Sequence, residues 1–399
     1  MGRAGFTAVS VALFLAACPG TAAARSAAER QWHLDELGVP AVHRVVRGDG
    51  VVVAVVDSGV DDTVPDLAGA LLPGAGFGSA EGSDGTEDAT GHGTAMAALI
   101  AGRGVAGGVL GVAPAARVLP VSVGAGGGNF TTAAVAEGIT WAVDHGADVL
   151  NVSLTSTAPT TPDLLRAVAH ALDHDVVVVA GTGNEGVGRV GAPAGVEGVV
   201  AVSGTVPGGA PWPSSNTGPE TVLAAPAEGI RTALPRSVAA SGFAAVDGTS
   251  AATALVSGVA ALVRARHPDL DAGNVVHRLV TTATDLGPVG RDDATGFGLV
   301  APGPAVLGEV ARVDRNPLLP PTTTVPPPTR PAPTRPEGDR RAGGDPAGDG
   351  GVRAAVALGG AVALGAVALG AVVVAVLCGR RARRAADRAD GPPDECRKG

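Results

Sequence analysis

Five largely apolar runs stand out in the first half of the chain. In the clearest, residues 51–56, six consecutive positions are apolar. Such continuous runs are typical of strands that are buried on both faces of a parallel sheet. We therefore predict buried strands at residues 51–56, 118–123, 147–154, 176–180 and 199–202.

Helical patterns separate several of these runs. One helix is predicted to begin with Thr161 as N-cap and Pro162 in its first turn, and an earlier one to end at Gly146. The apolar positions at helical spacing are Val135, Ile139 and Ala142 in the earlier helix and Leu165, Val168 and Leu172 in the later one. Strands that alternate with helices imply right-handed crossovers, so the predicted fold class is α/β, an open parallel sheet flanked by helices.

The N-terminus has the pattern of an export signal. Arg3 lies in a short basic region, residues 6–17 are mainly apolar, and Ala22-Ala23-Ala24 forms an A-x-A-like cleavage site. We predict a signal peptide at residues 1–24 and an N-terminal extension at 25–46. A lipoprotein signal is the alternative, because the residues that end at Cys18 resemble a lipobox and Cys18 would then be lipidated.

The composition changes sharply after the globular domain predicted at residues 47–312. Residues 313–351 are rich in Pro and Thr, which favours a disordered, extended linker. Residues 354–378 contain no charge and are long enough to cross a hydrocarbon layer of about 30 Å. We predict a single transmembrane helix at 352–378, because no globular sequence surrounds this segment to bury it as a core helix.

Charge gives the predicted orientation in the membrane. The tail, residues 379–399, carries seven Arg and Lys against four Asp and Glu, whereas the whole chain of 399 residues has a net charge of −9. Basic flanks stay on the cytoplasmic side, so the tail is expected inside and the globular domain outside the cell membrane.

The net negative charge of the chain argues against a nucleic-acid partner. The only cysteines are Cys18, Cys378 and Cys396, so the globular domain is expected to contain no disulfide and no thiol metal site.

Three short segments carry the candidate chemistry. Asp57 ends the first apolar run, His92 lies in Gly-His-Gly-Thr, and Ser250 lies in Gly-Thr-Ser-Ala-Ala before an apolar helical stretch. A serine hydroxyl is a weak nucleophile until an imidazole takes its proton, and a carboxylate must orient that imidazole. Taken singly, Asp57 is also consistent with a turn cap, His92 with a structural histidine and Ser250 with an N-cap. Their joint occurrence in this order favours an Asp-His-Ser triad.

Asn184 is a fourth candidate. It follows the run 176–180 in a glycine-rich segment, where its amide could donate a hydrogen bond to a tetrahedral oxyanion. The alternative is a turn asparagine. The backbone N–H of Ser250 would be the second donor of this oxyanion hole.

These segments resemble the subtilase superfamily, whose members share the chain order Asp, His, Ser. The resemblance covers about residues 32–310. Within the superfamily the chain looks most like the mycosins, membrane-anchored proteases of actinobacteria associated with type VII secretion. The residues and features that carry this likeness are Gln31-Trp32-His33-Leu34-Asp35, the segment 50–61, the Pro-rich linker, the membrane helix and the basic tail.

The resemblance implies a subtilisin-like fold and serine endopeptidase activity on peptides or proteins. It also implies that Ser153, Leu154 and Thr155 form an edge strand that pairs with an extended substrate. The chain departs from many subtilases at Ala254 and Thr155, and it lacks the extracytoplasmic cysteines common in mycosins. About 26 residues separate the signal from residue 51, so we expect no separate inhibitory prodomain.

The functional expectation is a membrane-anchored endopeptidase associated with a type VII secretion complex. The alternatives are a structural stabiliser of such a complex, with proteolysis dispensable, and a general cell-surface protease. The triad chemistry requires no cofactor. A structural calcium has no located site, and we predict solvated turn residues rather than ligands at Asp61, Asp62, Asp66 and Asp88.

Overall fold

A computed structural model describes residues 31–124 and 130–320 of the chain. The predicted signal peptide, the membrane helix, the basic tail and all three cysteines lie outside the described residues, as does most of the predicted linker. None of the helices in the described ranges is both long and apolar enough to span a membrane.

A parallel sheet forms the centre of the described structure. Its seven strands lie in the order β2-β3-β1-β4-β5-β6-β7, and every neighbouring pair is parallel. The strands are Val52–Asp57 (β1), Ala75–Gly76 (β2), Arg117–Ser122 (β3), Val149–Val152 (β4), Val177–Gly181 (β5), Val200–Thr205 (β6) and Leu223–Pro226 (β7). The five apolar runs correspond to β1, β3, β4, β5 and β6, so these predictions are confirmed. A separate antiparallel hairpin follows, formed by Ile230–Ala233 (β8) and Phe243–Val246 (β9).

Helices flank the sheet, as the alternation of patterns predicts. They are Trp32–Glu36 (α1), Val39–Val42 (α2), His92–Ala101 (α3), Thr132–Asp144 (α4), Pro162–Asp173 (α5), Thr249–Arg266 (α6), Ala272–Thr281 (α7) and Pro302–Leu307 (α8). Thr161 caps α5 through its side-chain oxygen, which accepts the backbone N–H of Leu164 at 3.3 Å. Gly146 has a φ of +82°, the left-handed conformation that follows the end of many helices.

The direction of the sheet order changes at β1, which places the site. From β1 the chain reaches β3 on one side and later β4 on the other. In open parallel sheets, ligands bind beyond the carboxyl ends of strands at such a switch point. Helix α6 packs against β4, β5, β6 and β7, and nearly all its residues up to Val263 are buried. Its N-terminus is thereby held at the same edge of the sheet as Asp57.

The N-terminal helix α1 contains a buried histidine without polar partners. His33 is 0% exposed, and neither ring nitrogen makes a hydrogen bond. Removal from water penalises the charged imidazolium, so burial lowers the pKa of His33 from 6.5 to about 4. The folded protein therefore contains neutral His33 at neutral pH.

This buried imidazole predicts an acid-sensitive fold. The unfolded chain binds a proton at His33 below about pH 6.5, whereas the folded chain resists it until about pH 4. The contribution of neutral His33 to the free energy of unfolding is therefore fully present above pH 6.5, and it falls by about 3 kcal/mol on acidification to pH 4. Urea unfolding at both pH values should show a smaller decline in a His33→Leu variant than in the wild type. The exposed His174→Gln variant is the control, and an equal decline in both variants would exclude His33 as the cause.

Candidate active site

Asp57 and His92, predicted from separate motifs, are joined by a direct hydrogen bond. Asp57 is the last residue of β1, and His92 is the first residue of α3. The imidazole Nδ1 lies 2.7 Å from the carboxylate Oδ1. The Asp57 side chain is 1% exposed, whereas that of His92 is 40% exposed. The bond to Nδ1 leaves Nε2 as the nitrogen that can exchange a proton.

The charges around the imidazole favour its protonated form. Desolvation lowers the pKa of His92, but the charge and hydrogen bond of Asp57, together with the charge of Asp88, outweigh it and leave that pKa raised. An imidazole that has taken a proton is thus stabilised by its surroundings. A general base that becomes an acid later in the reaction needs this property.

The glycines beside His92 are required by close packing. A Cβ built on Gly93 would lie 2.2 Å from the carbonyl oxygen of Gly59 and 3.0 Å from Asp57 Cβ. Gly91 has a φ of +77°, and a Cβ there would meet the side chain of Leu234 at 2.9 Å. The first turn of α3 therefore rests directly on the end of β1, and this contact brings His92 to Asp57.

Ser250 lies in the first turn of α6, beside the end of β4. Its Oγ donates a hydrogen bond to the carbonyl of Ser153 at 3.2 Å, and Ser153 Oγ donates to the carbonyl of Ser250 at 3.1 Å. Within the described residues, the bond of Ser250 Oγ is thus to the backbone rather than to His92. The two-way link holds the start of α6 against the sheet edge. Catalytic hydrogen bonds in free enzymes often tighten only when substrate is bound.

Asn184 lies beside the same turn. Its Oδ1 accepts the backbone N–H and the hydroxyl of Thr249, both at 2.9 Å. These two donors fix the orientation of the carboxamide, so Nδ2 is its remaining donor. A Cβ built on Gly248 would be 3.5 Å from that Nδ2 and 3.8 Å from the backbone nitrogen of Ser250. The two predicted oxyanion donors, Asn184 Nδ2 and the Ser250 N–H, thus both lie close to the same position beside Gly248, which has no side chain.

Replacement of Asn184 by leucine is expected to lower kcat by about 10²- to 10³-fold, the range measured for loss of one oxyanion donor. KM should change little, because the hydrogen bond from the Asn184 carboxamide to the substrate oxygen strengthens as charge develops on that oxygen. Steady-state kinetics on a peptide ester would measure both constants. An unchanged kcat would show that Nδ2 does not face the developing charge.

The predicted substrate-binding residues form the connection that follows β4, which ends at Val152. Ser153, Leu154 and Thr155 therefore continue beyond the carboxyl edge of the sheet, where β4 is flanked by β1 and β5. Their pairing with an extended substrate stays a prediction. Thr155 Oγ1 donates to the carbonyl of Gly181 at 3.0 Å, which fixes this connection against the end of β5.

A buried chain of polar side chains lies behind Ser250, and none of the sequence motifs predicts it. Asn151, on β4, donates to Ser153 Oγ at 3.0 Å and accepts the hydroxyl of Ser257, on α6, at 3.0 Å. Asn151 and Ser257 are both fully buried. Their signal in the sequence is a polar side chain inside an otherwise apolar run, which a buried site tolerates only when hydrogen-bonded.

The aspartates that are predicted to be solvated turn residues have different surroundings. Asp61 accepts the N–H and hydroxyl of Thr63, as a turn residue does. Asp66 and Asp88 are only 2% and 6% exposed, so the solvated-turn prediction is wrong for both. The carboxylate of Asp66 accepts the N–H of Val105, and that of Asp88 accepts several N–H and O–H groups. No cluster of three His, Cys, Asp or Glu able to hold a metal occurs within residues 31–124 and 130–320.

A parallel sheet with such groups at its carboxyl edge is typical of a class, the serine endopeptidases with a subtilisin-like fold. The chain belongs to one family within it, because residues 48–298 match the model of the Subtilase family.

Curated relatives and solved structures agree with this assignment. Subtilisin Savinase of Lederbergia lenta is 37% identical over 257 residues, which are 64% of this chain and 92% of the relative. M-protease of Shouchella clausii (strain KSM-K16) is 37% identical over 270 residues, 67% and 68% of the two chains. The crystal structure of MycP1 with its N-terminal propeptide removed matches with a TM-score of 0.62 at 29% identity, and covers 70% of this chain and 97% of that one.

Proposed function

We propose that this chain is a membrane-anchored serine endopeptidase that hydrolyses exported peptides or proteins with Asp57, His92 and Ser250 as its triad. The 2.7 Å bond between Asp57 Oδ1 and His92 Nδ1 carries the proposal. It supports the tautomer in which Nε2 is free to act as a general base. The nearby start of α6 supports Ser250 as the nucleophile.

In the proposed reaction, Ser250 Oγ first turns away from the Ser153 carbonyl about its Cα–Cβ bond. His92 Nε2 takes the hydroxyl proton while Oγ bonds to the scissile carbonyl carbon. The carbonyl oxygen becomes negative and accepts hydrogen bonds from Asn184 Nδ2 and the Ser250 N–H. His92 then returns the proton to the leaving amine as the C–N bond breaks.

The second half of the reaction releases the acyl group. A water molecule gives a proton to His92 Nε2 and attacks the carbonyl carbon of acyl-Ser250. The ester bond breaks, the acid product leaves, and the proton on His92 returns to Ser250 Oγ. Ser153, Leu154 and Thr155 are proposed to bind the substrate backbone beside this site. The chemistry calls for no cofactor, and a structural calcium is left without an assigned ligand.

We further propose that the chain is a single-pass cell-membrane protein. The uncharged segment 354–378 and the arginines that follow it support a membrane anchor with the tail in the cytoplasm. The same orientation places the described domain outside the cytoplasm, where exported substrates occur. The whole segment lies outside the described residues.

Labelling of the purified full-length chain with a fluorophosphonate probe tests the enzymatic part of this proposal. The probe bonds covalently to activated serines, so we expect one labelled residue, Ser250, identified by mass spectrometry of the digested protein. A folded protein that takes no label, or that is labelled at another serine, would contradict the proposed nucleophile. Cleavage of a peptide library by the same preparation would then define the side chains that are preferred.

A second function is favoured by the likeness to MycP1 and by the sequence resemblance to the mycosins. In that case the domain stabilises a type VII secretion complex whether or not it cuts a substrate. Export in the native host would separate the two roles. Normal export with a Ser250→Ala chain but not after deletion of the gene would indicate a stabilising role, and loss of export in both would indicate that proteolysis is needed. Absence of secretion genes nearby would favour a general surface protease.

A further inference from the structure

Asp88, four residues before His92, is a buried carboxylate that binds the first turn of α3. Its Oδ1 accepts the N–H of Gly91 at 2.8 Å, and its Oδ2 accepts the N–H and the hydroxyl of Thr94 at 2.9 and 2.7 Å. The N-cap of α3 is Gly91, which has no side chain to bind the free N–H groups. Asp88 therefore supplies from outside the helix the acceptor that the N-terminus needs.

The same carboxylate reaches the end of β1 through one hydroxyl. Ser58 Oγ lies 2.9 Å from Asp88 Oδ1 and 3.3 Å from Asp57 Oδ1. The Ser58 Oγ also accepts the N–H of Gly93 at 3.1 Å. Ser58 is thus located between two buried carboxylates and touches the residue that follows His92. The strand that carries Asp57 and the helix that carries His92 are thus joined through the residues that precede and follow His92 in the chain.

Turn stabilisation alone does not account for this arrangement, because the chain contains a matched comparison. Asp84 and Asp88 both occur in an Asp-x-Thr segment, and in each the carboxylate binds the N–H and the hydroxyl of the threonine two residues later. Asp84 does this while exposed to solvent. Asp88 is 6% exposed, and burial of a charge is unfavourable unless additional bonds compensate. Those additional bonds are the ones to α3 and Ser58.

We infer that Asp88 is a positioning residue for His92: its carboxylate fixes the first turn of α3 and the Ser58 hydroxyl, and with them the geometry at which the imidazole meets Asp57. The inference rests on the proposed role of His92 as general base. It assigns to Asp88 a role in the reaction without contact to substrate.

Asp88 also acts on His92 through its charge. The charges of Asp57 and Asp88 both raise the pKa of His92 against the effect of desolvation. The β8–β9 hairpin packs on α3 and carries two cations: Arg231 lies over the ring of Phe243, and Arg236 donates to the carbonyl of Ala240. The three hairpin atoms nearest to a Cβ built on Gly91 belong to the apolar side chains of Leu234, Pro235 and Val238. Loss of the Asp88 charge should therefore lower the pKa of His92.

An Asp88→Asn variant of the full-length chain tests the inference, with Asp84→Asn as the matched control. The amide keeps an acceptor oxygen but removes the charge and one acceptor, so we expect kcat to fall by about tenfold with little change in KM. Because His92 must be neutral to act as a base, the midpoint of the acidic limb of kcat/KM should move to lower pH in Asp88→Asn. Asp84→Asn should keep the wild-type profile.

The pH profile separates positioning from simple structural support. If Asp88→Asn has the wild-type midpoint and kcat, and only unfolds more readily, the inference is overturned. If Asp88→Asn does not fold, Ser58→Ala takes its place, because it removes the link to β1 but leaves the bonds from Asp88 to α3. Wild-type kcat in a folded Ser58→Ala chain would then overturn the inference, and a reduced kcat would support it. A wild-type chain without Ser250-dependent turnover would instead contradict the proposed function.

Discussion

Replacement of Ser250 by alanine is expected to lower kcat for peptide hydrolysis on the order of a millionfold, as in a subtilisin without its nucleophile. The loss is this large because the acyl intermediate of the proposed reaction forms on Ser250 Oγ. The Asp57–His92 bond does not depend on the serine hydroxyl, so the remaining pair keeps its geometry but has no oxygen to activate. The variant should also fail to react with a fluorophosphonate probe.

The fold should survive this change. The lost hydroxyl donates one bond, to the carbonyl of Ser153, whereas the reciprocal bond from Ser153 Oγ to the Ser250 carbonyl involves only backbone at position 250. Equal urea midpoints for variant and wild type would show that the lost activity is chemical. Ser237→Ala, at an exposed serine of the hairpin loop, is the control for a serine substitution. Persistent turnover in Ser250→Ala would mean that another residue is the nucleophile.

The sheet could be predicted from the sequence because most of its strands are buried on both faces. In β1, the residues from Val53 to Val56 are all fully buried, so the run has no polar position that would suggest another element. The helix predicted after Thr161 is confirmed by its cap and its proline. The predicted stripe is wrong in part, because Leu165 is 47% exposed and the buried face is formed by Leu164, Ala167, Val168 and Ala171. The β8–β9 hairpin was not predicted, because Phe243 and its neighbours are partly exposed and show no clear alternation. Short strands of this kind depend on tertiary contacts.

The candidate site was predictable only in part, for a physical reason. Asp57, His92 and Ser250 occur in short segments whose glycines reflect close backbone packing, so the motifs themselves are visible. The supporting groups have no such local mark. The bond between Asn151 and Ser257 joins positions 106 residues apart, and the bonds of Asn184 reach Thr249 across 65 residues. Such pairings follow from the topology of the sheet, which a pattern of spacings does not contain.

An Asp57→Asn variant is expected to lose about 10⁴-fold in kcat, the size measured for this substitution in a serine protease triad. Asn has nearly the same shape as Asp, so the substitution changes charge and hydrogen bonding rather than volume. Asp57 Oδ1 binds His92 Nδ1 and the N–H of Ser58, whereas Oδ2 is buried without a partner. The new NH₂ group can therefore occupy either of two places, and both are unfavourable.

In the first orientation the NH₂ takes the place of Oδ2, where a buried donor has no acceptor, and His92 keeps its tautomer but loses the charge that stabilises the imidazolium. In the second, the NH₂ faces Nδ1, which must then become the acceptor, and Nε2 carries the proton and cannot act as a base. Asp57 raises the pKa of His92, so in either orientation that pKa falls and the remaining activity should extend to lower pH. Proton NMR of the imidazole across pH would measure this fall directly. An unchanged histidine pKa together with wild-type kcat would show that the carboxylate of Asp57 does not stabilise the base, and the 2.7 Å contact would then have only a structural role.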